Sequence, residues 1–110
     1  MIQVVHKRPS MPAEVVTVEN TLEALRALLD GGYLCGISVT PTIHGYVDDE
    51  GLLKKLPLNF MLNGERIVGP AIFSKADGNG NDIGFTGNEA LEFCKFMNVF
   101  EEPSTDDHSR

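Results

Sequence analysis

The sequence predicts an α+β fold in a single domain, a twisted, mainly antiparallel sheet of about five to six strands with two helices on one face. Three observations carry that expectation. Apolar, β-rich runs recur between turn signals, at residues 2–7, 13–18, 33–39, 43–47 and 65–74. Two other stretches repeat apolar residues at helical spacing, each opened by a capping pair: Asn20 with Glu23, and Thr86 with Glu89. The order β-β-α-β-β-loop-β-α lacks the regular alternation of a parallel α/β sheet. The 110 residues suit one domain, read as 1–100, followed by an acidic tail at 101–110 that carries no apolar residue and is expected to be disordered.

Residues 2–7 read as a first strand. Pro9 and Pro12 bracket a turn, and residues 13–18 return as its hairpin partner. The first helix places Leu22, Leu25, Leu28 and Leu29 on one stripe and ends at Gly31-Gly32, where glycine takes a left-handed C-cap without strain. Residues 33–39 are apolar enough to predict a central strand buried on two faces. Residues 43–47 follow, then the turn Asp48-Asp49-Glu50-Gly51, with Leu52-Leu53 as a short returning strand. Pro57 predicts a loop over 54–63 with Leu56, Leu58, Phe60 and Leu62 turned inward. Asn63-Gly64 is a tight turn, and the strand at 65–74 carries Pro70, which places it at an edge or a bulge. A glycine-rich turn at 75–82 and a brief strand at 83–85 lead into a helix of about ten residues with Ala90, Leu91, Cys94 and Met97 on its apolar face.

Net charge is −7, and four acids against one arginine in residues 101–110 supply a net −3 of it. An acidic chain is poorly suited to binding a nucleic-acid backbone directly. No apolar run approaches the ~20 residues that cross a bilayer, and the N-terminus is apolar first and basic second, unlike a secretory leader. A cytoplasmic protein is the expectation. Cys35 and Cys94 sit among apolar neighbours and read as reduced core residues.

The motifs of catalysis are weak. Asp77, Asn79 and Asn81 begin like a calcium-binding loop, but the sixth position is Asp82 instead of glycine and the twelfth is Asn88 instead of glutamate. A hairpin turn explains them better. His6, His44 and His108 lack metal-ligand spacing. Asp48, Asp49 and Glu50 on a turn are solvated carboxylates before they are an acid–base pair. No serine sits in a nucleophile-elbow pattern. No catalytic residue, metal or cofactor is assigned. The stretch from Lys54 to Arg66 is the better candidate: Lys54, Lys55, Asn59, Asn63 and Arg66 offer amides and positive charge in an otherwise acidic chain, with Tyr33, Tyr46 or Phe60 to stack on a planar group. Together they suit a small anionic ligand such as a nucleotide. Taken singly, Asn59 reads as a cap for its own loop, Phe60 as core, and the charges as solvated.

The ordered motifs Met1-Ile2-Gln3-Val4, Asn20-Thr21-Leu22-Glu23-Ala24-Leu25, Gly32-Tyr33, Asp49-Glu50-Gly51, Leu56-Pro57-Leu58-Asn59, Ile67-Val68-Gly69 and the capped helix from Thr86 to Phe96 resemble a small domain-of-unknown-function family common in phages, prophages and mobile elements. The long Gly/Asn turn and the acidic tail depart from that pattern. The resemblance implies an accessory protein of a phage or mobile element acting in the bacterial cytoplasm. Anti-defence work of two kinds fits that setting: a non-enzymatic sponge for a nucleotide-type signal, with a pocket completed by homo-oligomerisation, or an interaction module that inhibits a host protein, an acidic DNA mimic included. A small hydrolase is the third reading.

Overall fold

The computed structural model describes residues 1–107, with side chains described through Asn98. The elements are β1 (Ile2–Lys7), β2 (Glu14–Val18), α1 (Leu22–Leu28), β3 (Leu34–Thr40), β4 (Ile43–Asp48), β5 (Leu58–Leu62), β6 (Glu65–Val68), β7 (Ala71–Lys75) and α2 (Glu89–Asp107). Five strands form one sheet in the order β2-β1-β7-β4-β3, and β5-β6 form a separate ribbon. Every pairing is antiparallel. The fold class is α+β, as the sequence predicts.

The β1–β2 hairpin forms in the expected place, from Ile2 opposite Val18 to His6 opposite Glu14. Because side chains alternate along a strand, each strand of the large sheet sends its even-numbered residues to one face and its odd-numbered residues to the other. Val4, Val16, Leu34, Tyr46 and Ile72 form one cluster with Leu25 and Leu29 of α1. Val5, Val15, Ile37, Ile43, Val47 and Phe73 form the other, with Phe93, Cys94 and Met97 of α2 and Phe60 and Ile67 of the ribbon. The helices therefore lie on opposite faces, a correction to the expected one-sided arrangement. Both faces of the central strands β1 and β7 are apolar, and each helix takes one of them.

Four local expectations are also corrected. β3 is an edge strand: its apolar Cys35, Ile37 and Val39 alternate with exposed Gly36, Ser38 and Thr40, so only one face carries a continuous apolar stripe. Leu52 and Leu53 are not a strand but part of an exposed turn, 68% and 82% accessible. The region after Pro57 is β5 and not a loop, since proline at a strand's entrance removes no ladder hydrogen bond. Residues 65–74 are two strands broken at Gly69-Pro70. Gly69 takes φ 74°, a conformation open to glycine, and the chain passes there from the ribbon to the centre of the large sheet.

α1 is capped by Thr21, whose hydroxyl accepts from the Ala24 N–H at 3.1 Å, while Asn20 instead donates to the Asp82 carbonyl at 3.0 Å. Leu22 is exposed, so the buried stripe narrows to Leu25 and Leu29. At the start of α2, the Glu89 carboxylate accepts from the Thr86 N–H and hydroxyl at 2.9 and 3.0 Å, so Glu89 reaches back as expected, while the Glu89 N–H is met at 3.0 Å by the Thr86 carbonyl and not by its hydroxyl. α2 is 19 residues long against the ten expected. The expected tail at 101–110 falls where no side chain is described, and 108–110 lie outside the described residues.

Candidate functional site

Phenylalanine is distributed unevenly: all six lie after residue 59. The fold gathers five of them on the odd-numbered face. Phe60 and Phe73 stand 5.9 Å apart between ring centroids, Phe73 and Phe93 5.0 Å, Phe85 and Phe93 5.7 Å, and Phe93 and Phe96 5.9 Å. These spacings suit tilted and offset aromatic pairs. The rings do not close over one another. Between β5, the far end of the β3–β4 hairpin and α2 they leave a cavity of about 420 Å³, walled by Val39, Ile43, Phe60, Leu62, Phe73, Phe93, Phe96 and Met97. Thr40 and Asn63 supply its polar rim. Asn63 is the first residue of the β5–β6 turn, with φ 51° followed by Gly64 at 84°, and is exposed. Phe96 is 56% exposed, an aromatic wall open to solvent on one side.

The eight residues singled out in the sequence do not converge. Phe60 and Asn63 belong to the cavity. Asn59 is buried and structural: its Nδ2 donates to the Lys7 and Gly69 carbonyls, both at 2.8 Å, tying the ribbon to β1. Lys54 reaches back to Asp48, with Nζ 2.7 Å from Oδ2. Burial pushes the Asp48 carboxyl up, but the Lys54 ammonium and the Glu50 N–H outweigh it and hold the group below its ordinary value. Asp48 is thus committed to an ion pair at the turn. Lys55, at φ 59°, and Arg66 are exposed. Tyr33 lies beneath the Arg26 guanidinium, 4.2 Å from ring centroid to Cζ.

Tyr46 projects to the even-numbered face, where its hydroxyl donates to Asp82 Oδ2 at 2.6 Å. Burial, then the Asp82 carboxylate, push its pKa up to about 12. His44 Nδ1 is 3.8 Å from Asp82 Oδ1, a buried oxygen without a hydrogen-bond donor among the described residues. The Gly/Asn turn behaves as a hairpin: Asp77 spends its carboxylate on the Asn79 and Asn81 N–H groups at 2.8 and 2.9 Å. Among the described residues no group of three or more His, Cys, Asp or Glu could hold a metal ion, and no helix is long and apolar enough to cross a membrane. Burial raises both cysteine thiols above their ordinary value, so neither is primed as a thiolate.

The same chain, compared with known proteins, matches the family model of a domain of unknown function (DUF3846) over residues 2–100. The chain belongs to the DUF3846 family. The matched span takes in every strand and α1, together with the part of α2 that walls the cavity. No curated protein and no solved structure matches the chain. What sequence reasoning missed is the wall drawn from Val39, Ile43, Phe73, Phe93, Phe96 and Met97. The available signal was the crowding of phenylalanine into the second half of the chain.

Proposed function

We propose that this DUF3846 chain is a non-enzymatic binding protein that takes a flat, apolar or aromatic group of a small molecule into the phenylalanine-walled cavity. One observation carries the reading: an apolar space of about 420 Å³, aromatic on several sides, with two small polar groups at its rim. Ligand sites of small molecules run to roughly 300–1,000 Å³ and combine apolar walls with a few polar groups that orient the ligand. A nucleobase meets that description, with Asn63 and Thr40 positioned to hydrogen-bond its edge. The phosphate part would remain outside the cavity. In this form the site supports sequestration of a nucleotide-type signal, and the resemblance of the ordered motifs to phage and mobile-element accessory proteins supports an anti-defence setting for it.

The test is native mass spectrometry of the intact chain after exposure to a nucleotide-rich bacterial lysate, beside the variant Ile43→Trp. The larger side chain fills the cavity from its β4 wall. The expected result is a discrete added mass on the wild type, lost in Ile43→Trp while its circular dichroism is unchanged. An added mass equal in both proteins would place the ligand elsewhere, and no added mass on the wild type would overturn the reading.

A further inference from the structure

We propose that β3 is a dimerisation edge, pairing antiparallel with β3 of a second copy about a two-fold axis at Gly36. β3 is the outermost strand of the large sheet and, among the described residues, pairs only with β4. The Tyr33 carbonyl accepts from the Asp49 N–H at 2.8 Å, and this sets the alternation of the ladder. Residues 35 and 37 turn their backbone groups toward β4. Leu34, Gly36 and Ser38 turn theirs outward, and among the described residues no backbone partner meets them. Among the described residues the contact on this row is weak, a 4.0 Å approach of the Cys35 thiol to the Gly36 carbonyl.

A row of free N–H and C=O groups is a template for another strand, and proteins usually blunt it with charge or proline. The seven residues of β3, Leu-Cys-Gly-Ile-Ser-Val-Thr, contain neither. The opposite edge, β2, does carry that protection, with Glu14 in the strand and Glu19 just beyond it. The occupant that fits is a second copy because the strand is self-complementary. Centred on Gly36, the two-fold pairing sets Leu34 against Ser38 and Cys35 against Ile37, with no like charges opposed. Leu34, Cys35 and Ile37 are each only half-buried in one copy. Pairing would cover them and join the two large sheets into one. β3 also supplies Val39 and Thr40 to the cavity, so the joint would brace one wall of it. The inference does not depend on what the cavity binds.

The experiment is sedimentation equilibrium of the full chain over a concentration series, without added ligand. The expected species has twice the 12.0 kDa of one chain. Gly36→Lys brings two ammonium groups together on the axis, yet a Cβ at this position meets only Tyr46 Cε1 at 4.0 Å, so the fold accommodates it. That variant is expected to be monomeric where the wild type is dimeric. Ser38→Pro removes an outward N–H without touching the β4 ladder and is expected to do the same, which keeps the test valid if Gly36→Lys folds poorly. A wild type that stays monomeric throughout overturns the proposal. So does a dimer that survives in a folded variant, because it would then use another surface.

Discussion

His6 shows how a single side chain ties two elements and makes the fold acid-sensitive. It is 4% exposed, and its Nε2 donates to the Leu28 carbonyl at 2.8 Å, joining β1 to the end of α1. Burial lowers its pKa from 6.5, more than the bond to Leu28 raises it. Arg8 adds to the lowering, while Glu14 and Asp30 oppose it. A histidine kept neutral in the folded state is protonated first in the unfolded chain. Its contribution is therefore complete above pH 6.5 and is lost as the pH falls from 6.5 toward the lower folded value. Urea midpoints measured across that interval should decline in the wild type. His6→Gln, which keeps an N–H for Leu28, should show a shallower decline. Equal slopes would remove His6 as the responsible group.

Among the elements, the ends of the helices show which signals are local enough to read. Thr86 and Glu89 are legible as partners because both lie within one turn, and Glu89 reaches back to Thr86 as the residues suggest, although the Thr86 hydroxyl joins that carboxylate and leaves the Glu89 N–H to the Thr86 carbonyl. At α1 the same logic chose Asn20, but the fold gives that amide to Asp82, 62 positions away, and leaves Thr21 to cap. The prolines divide in the same manner. Pro57 and Pro70 announced breaks, yet whether a break precedes a strand or separates two sheets depends on distant partners. Glu89 carries the prediction at this scale. The Lys75 ammonium 2.6 Å away, with the Thr86 N–H and hydroxyl, holds its carboxyl at about 2. A depressed carboxylate contributes stability above its unfolded value near 4.5, and that stability is lost as the pH falls toward 2. Helicity followed in acid should decrease over that window in the wild type, with a weaker dependence in Glu89→Gln. Unchanged acid behaviour in the variant would show that the α2 entrance is held by other contacts.

For the whole molecule, the sheet separates two cores, and this division was the part least visible in the sequence. Each strand's alternation was present, but no local pattern states which helix covers which parity. The cavity shares that difficulty: Phe60 and Asn63 are legible as an aromatic ring and an amide within one short stretch, whereas Phe73, Phe93 and Phe96 meet them only after β7 and α2 pack. The division has an energetic consequence. Leu29 is 1% exposed in the α1 core, and Phe93 is 8% exposed in the α2 core. Truncating a buried leucine to alanine costs about 2–5 kcal/mol and a buried phenylalanine about 3–5 kcal/mol. Leu29→Ala should therefore destabilise the chain while leaving occupancy of the cavity unchanged at a temperature where the variant is folded. Phe93→Ala should destabilise it and also alter occupancy, since it removes part of the wall. With the sheet between the two sites, the penalties should add to within about 0.5 kcal/mol in the double variant. Equilibrium urea unfolding of the four proteins measures this directly. A coupling well above that limit would mean that strain passes through β1 and β7, and that the two faces act as one core.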